Sequence, residues 1–198
     1  MKKLSLIIAC AGLLLCACIS NKQLDVTPAT QPNILSTLDG ATENFIADSV
    51  ETNGTISILI WGTDRSNKDQ IRLELLKMDD TVDVGTYGVD SLGTPGVRNG
   101  QIMITDNRDS TLNPNTTGPY YTAGTGPTNA RYPGTITLTT LSDTLLKGTF
   151  SGIIACEKQI VLLQTPVATK TVTNGSFSVR LKNVKVLHMA ALRRPPQR

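Results

Sequence analysis

The chain has 198 residues, enough for one well-cored domain behind a leader and short for two. Its formal charge of +3 sets 19 basic against 16 acidic residues. Without Lys2 and Lys3 the balance is 17 to 16, and Arg193, Arg194 and Arg198 crowd the end, so the chain lacks the clustered basic face that binds nucleic acid.

Met1-Lys2-Lys3 is a short positive start, and residues 4–15 form an apolar run below the roughly 20 residues of a membrane-spanning helix. A positive start, an apolar core and small residues beyond it describe a secretory signal peptide over residues 1–17. Leu15-Cys16-Ala17-Cys18 resembles the lipobox of bacterial lipoproteins, which implies that Cys18 becomes the lipidated N-terminus of the mature chain. Two or more acyl chains hold a protein stably on a membrane, at about 0.8 kcal/mol per buried CH₂. Ile19 stands where an Asp commonly retains lipoproteins in the inner membrane, so the resemblance implies an outer-membrane address with its facing side open. Cys10 and Cys16 leave with the leader and Cys18 is acylated. Cys156 alone then remains in the body, and no intramolecular disulfide can form.

Residues 18–40, polar and carrying Pro28 and Pro32, predict a flexible tether. From 41 to 188 the chain reads as a single β-domain, with Thr, Val, Ile and Leu alternating with polar residues between Gly, Asn, Asp and Pro. Strands are predicted over Glu43–Val50, Gln70–Met78, Thr144–Ile154 and Gln159–Gln164, and from about Thr171 to Val186. In QIRLELLKM the alternation of Ile71, Leu73 and Leu75 favours a strand over a short amphipathic helix. NGTISI (53–58), NGQIMI (99–104), PGTITL (133–138) and NGSFSV (174–179) share one pattern, read as a turn glycine followed by a strand. Their unequal spacing argues against a solenoid. About eight short strands predict an all-β fold, an antiparallel β-sandwich or a partly open barrel. Residues 189–198 form a basic tail.

Residues 106–133 interrupt this rhythm with four prolines and three of the four tyrosines. A loop that long inside a compact domain is functional or disordered. Around it, GTITLTTLSDTLLKGTFSG (134–152), VTNGSFSVRL (172–181) and the step Val84-Gly85-Thr86-Tyr87 resemble a family of small Bacteroidetes-type lipoproteins of unknown function. The resemblance implies a lipid-anchored β-domain and carries over no catalytic residue and no cofactor.

His188 is the sole imidazole, and Cys156 sits in the apolar run SGIIAC, so no catalytic residue and no zinc site are expected. Asp79, Asp80 and Asp83 surround one turn and Asp64 and Asp69 flank another, without the spacing of a calcium loop. Five Asp-Ser/Thr steps place Ser49, Thr81, Ser91, Ser110 and Thr144 before a Thr or aliphatic residue. This matches the acceptor pattern of general O-glycosylation in the bacteria the family resembles, with turn initiation as the alternative role. Tyr120, Tyr121 and Tyr132 are the ligand-binding candidates, since exposed aromatic rings stack on sugars and loops carry binding residues. Trp61 shares that chemistry, although an isolated tryptophan in ILIWGTD reads first as a core filler. The expected protein is a lipid-anchored, non-catalytic envelope lipoprotein acting as a structural or protein-interaction module. The alternative is a glycan or small-ligand binding module using the 106–133 loop. Its partners would be the membrane, through the lipid, and an envelope protein or a glycan.

Overall fold

The computed structural model describes residues 21–24, 33–53, 57–66, 69–78, 80–88, 97–105, 120–121, 132–156, 159 and 166–181. Among them the fold is all-β, with eleven strands in one sheet. In chain order these are β1 (Asn21–Leu24), β2 (Ile34–Leu38), β3 (Ala41–Asn53), β4 (Ser57–Thr63), β5 (Gln70–Lys77) and β6 (Gly85–Gly88). They continue with β7 (Arg98–Thr105), β8 (Tyr120–Tyr121), β9 (Gly134–Leu141), β10 (Leu145–Cys156) and β11 (Thr169–Arg180).

Strand order is β1-β3-β2-β11-β10-β9-β6-β7-β5-β4, and β4 returns to pair with β3, so the ladder of pairings closes on itself. The long β3 makes closure possible. Its residues 41–45 pair with β2, and its later half pairs with β4. β8 bridges β10 and β7 beyond the end of β9. Register shifts in the β3–β4, β9–β10, β2–β11 and β10–β11 pairings supply the local bends that a closing sheet needs.

Alternation fixes which side faces in. On β5, Ile71, Leu73 and Leu75 are fully buried while Arg72, Glu74 and Leu76 face out half-buried. The same period on β2, β3, β4, β7, β9, β10 and β11 sends Ile34, Phe45, Ile60, Ile102, Ile136, Phe150 and Val179 into one contiguous apolar interior. Each such side chain contributes about 1.5–3 kcal/mol relative to leaving it in water.

Several expectations are corrected. The sheet starts before residue 41: Ile34 and Leu38, placed in the tether, are core residues of β2. Asp39 and Gly40 have φ of 47° and 87°, the type I′ hairpin geometry for which Asp-Gly is suited. Gly100 and Gly175 are not turn residues but lie inside β7 and β11. At Gly100 a side chain would press on Tyr87, whose carbonyl oxygen and Cβ lie 3.2 and 3.3 Å from the position of a Cβ. Asn174 takes a left-handed φ of 52° where the β2–β11 register shifts. The sheet is also not wholly antiparallel, since β6 meets β7 in a parallel pairing, Gly88 opposite Asn99. One rung suffices there because β6 is only four residues long and gains the rest of its pairing from β9. Of the strand predicted over 159–164, all but Gln159 lies outside the described residues, as do the leader, Cys18 and the basic tail.

Candidate functional site

Register assembles a site on the outer face of β3, β4 and β5. The rungs run Ser49–Trp61–Arg72–Met103 and Glu51–Leu59–Glu74–Gln101 across β3, β4, β5 and β7. Because Ile58, Ile60 and Gly62 are buried on β4, Trp61 points outward and stays partly exposed, not in the core where ILIWGTD placed it. Arg72 lays its guanidinium over the indole, 5.3 Å from the ring centre, and Glu74 holds that guanidinium at 2.7 Å. Such a cation–π contact is worth about 0.5–1 kcal/mol near the surface and fixes the ring's tilt.

On the β3 side the register shifts between Ala47 and Ser49, leaving Asp48 as an extra, exposed residue. Its carboxylate accepts a hydrogen bond from Thr63 Oγ1. Bulges re-aim side chains in this way. Asp48, Ser49, Glu51, Thr63 and Gln70 join Trp61 in lining a groove of about 320 Å³. Ligand clefts begin at roughly 300 Å³. Trp61 Nε1 and Arg72 Nε are enclosed at the stack without a hydrogen-bond partner among the described residues. No local sequence signal marks this groove, because the bulge and the pairing of β3 with β5 through β4 are long-range outcomes.

A second polar cluster clasps the segment before β6. Arg98 Nε and Nη2 donate to the two carboxylate oxygens of Asp83, each at 2.8 Å. The fully buried Tyr87 sends its hydroxyl to the same residue, donating to the Asp83 carbonyl at 2.6 Å and accepting from the Asp83 N–H at 3.0 Å. Lys77 Nζ reaches Asp80 at 2.8 Å and Asp83 at 3.3 Å. Hydrogen bonding from Arg98 above all holds the Asp83 carboxyl below the usual carboxylate range, and Lys77 does the same for Asp80. Reciprocally, Asp80 raises Lys77 and Asp83 raises Arg98, while burial raises Tyr87. Asp80 and Asp83 thus serve cations of the protein itself. Among the described residues no three acidic, histidine or cysteine side chains gather as a metal would require.

The other candidates disperse. Tyr132 is only 9% exposed and packs with Ala155, Ile153 and Val167. Tyr120 and Tyr121 form β8, with Tyr121 opposite Met103 on one side and Ala155 on the other, so part of the long loop is stitched into the sheet. Cys156 is fully buried. Thr144 is exposed in the β9–β10 turn, Thr81 is half-buried, and Ser49 is 9% exposed within β3. Cys18, Ser91, Ser110 and His188 lie outside the described residues. No protein family, curated protein or solved structure matches the chain.

Proposed function

We propose that this chain is a lipid-anchored, non-catalytic lipoprotein of the bacterial outer membrane, a structural or protein-interaction module. The carrying observation is the largely apolar interior: most inward positions from β2 to β11 hold packed apolar side chains, with Ile34, Phe45, Leu73, Tyr87 and Ile136 fully buried and Ser36 and Glu43 as buried polar exceptions on β2 and β3. A domain built this way favours its outer faces and loops as the places where partners meet it. The Leu-Cys-Ala-Cys step supports acylation at Cys18, and the likeness of residues 134–152 and 172–181 to small Bacteroidetes-type lipoproteins supports the same anchored arrangement. The non-catalytic reading rests on the single histidine and on the burial of Cys156.

The test is detergent phase partitioning of the full-length chain expressed in a bacterial envelope, followed by crosslinking on intact cells. The chain should enter the detergent phase and Cys18→Ser should leave it. A discrete protein adduct should form on crosslinking. Partition of the unaltered chain into the aqueous phase sinks the anchor, and the lack of any adduct sinks the interaction module. A second reading, glycan or small-ligand binding, is favoured by the groove at Trp61.

A further inference from the structure

We propose that the groove beside the β3 bulge binds a saccharide, with Trp61 as the stacking platform and Asp48, Glu51 and Gln70 as partners of its hydroxyls. The proposal deepens the second reading above, glycan binding at Trp61, and rests on it, while it holds or fails without regard to the anchor or a protein partner.

The lining selects the ligand class. Two carboxylates, Asp48 and Glu51, stand in the groove, and among the described residues no cationic side chain lines it. Phosphate, sulfate and carboxylate ligands would meet like charge there, which is destabilising at contact distance. A wholly apolar ligand would strip water from both carboxylates without replacing the lost bonds. A sugar fits both demands. Its hydroxyls donate to Asp48 and Glu51 and exchange bonds with Ser49, Thr63 and the Gln70 amide, while its C–H face lies on the indole.

Two further features point the same way. Arg72, clamped by Glu74, covers the indole from the β5 side, and the groove opens beside the ring on the β3 side. The platform is therefore set before a ligand arrives, which reduces the ordering that binding must supply. An amine is the other class that two carboxylates and an indole could hold, and the Arg72 guanidinium already seated over the indole opposes a second cation there.

Trp61 is the chain's only tryptophan, so tryptophan emission, excited selectively over the four tyrosines, reports on this groove alone. The full-length protein would be titrated with maltoheptaose, chitotriose, xylohexaose and mannan oligosaccharides, with spermidine as the amine control. At least one saccharide should shift Trp61 emission saturably and with little salt dependence. By calorimetry, Asp48→Asn and Glu51→Gln should each weaken that binding about tenfold or more, the loss expected for a hydrogen bond to a charged group. Thermal melts would confirm that both variants fold. The proposal is overturned if no saccharide moves the emission at millimolar concentration. It is equally overturned if the folded double variant binds as the unaltered protein does, or if spermidine alone binds, weakening as salt rises.

Discussion

Phe177 stands opposite Gly148 across the β10–β11 ladder, and the arrangement is repeated in reverse two rungs along, where Phe150 stands opposite Gly175. Each ring covers the glycine facing it. A Cβ at Gly148 would lie 2.6 Å from Phe177 Cε1 and against the Thr137 carbonyl oxygen, and one at Gly175 would lie 2.6 Å from Phe150 Cδ2. Gly148→Ala and Gly175→Ala should each cost about 1–3 kcal/mol or more by overpacking, lowering the melting temperature by roughly 2–4 °C per kcal/mol. Adding Phe177→Leu to Gly148→Ala should restore little, because the Thr137 oxygen stays in place. Gly40 supplies the contrast. Nothing lies within 4 Å of its Cβ position, so Gly40→Ala should show only the cost of its φ of +87°, about 1–2 kcal/mol.

The clasp around Asp83 predicts an unequal pair of effects. Tyr87→Phe removes a buried hydroxyl that bonds both backbone groups of Asp83, and should cost about 1–2 kcal/mol in urea unfolding. Asp83→Asn breaks a pair whose side chains are 44% and 38% exposed, so it should cost no more than about 1 kcal/mol. The reverse ranking would mean that the ion pair, not the tyrosine, pins this segment.

Acid titration separates the charge from the packing. Asp83 and Asp80 titrate below the unfolded-chain value of about 3.9. A carboxylate whose folded pKa is depressed contributes stability that is complete above the unfolded value and is lost as pH falls through the folded one. The stability gap between the protein and Asp83→Asn should hold steady from about pH 8 to 5 and close below about pH 4. Lys77, raised by Asp80, keeps its contribution below about pH 10.4 and loses it only as pH climbs through its folded value. A gap undiminished at about pH 2 would assign the loss in Asp83→Asn to packing.

Glycan placement follows from exposure. Sugars added to the folded chain can reach Thr144 in the exposed β9–β10 turn and are blocked at Ser49, 9% exposed within β3. Site-resolved mass spectrometry of protein taken from a bacterial envelope should find added hexose on the peptide holding Thr144 and none on the one holding Ser49. A modified Ser49 would show that the chain is glycosylated before the sheet closes.

Much of the sheet was legible in the sequence because alternation is local. Ile71, Leu73 and Leu75 marked β5, the PGTITL run at 133–138 marked the start of β9, and the strand predicted over Thr144–Ile154 covers most of β10. β2 was hidden by its surroundings: Pro28 and Pro32 made the segment read as a tether, although Ile34, Ser36 and Leu38 alternate before Asp39-Gly40. Gly100 and Gly175 read as turns because a glycine beneath an aromatic side chain and a glycine in a turn look alike until the partner strand is known. Trp61 read as core for a related reason, since ILIWG places it among apolar residues that its own alternation turns away from. The groove and the Asp83–Arg98 pair depend on residues separated by loops and on a bulge. Only the assembled register brings them together.

The place of β2 between β3 and β11 governs how the protein can be made. On one side Leu38 pairs at once with Ala41 of β3, but on the other its rung is Val172, 134 residues further along the chain. A chain delivered N-terminus first, from a ribosome or through a translocation pore, cannot seal its interior as it emerges. Ile34, Phe45 and Ile60 stay open to water and to other chains until β11 arrives, and pairings so distant in sequence form slowly. β11 is therefore a latch, and a chain ending before Thr169 would remain an unsealed intermediate exposed to aggregation and proteolysis.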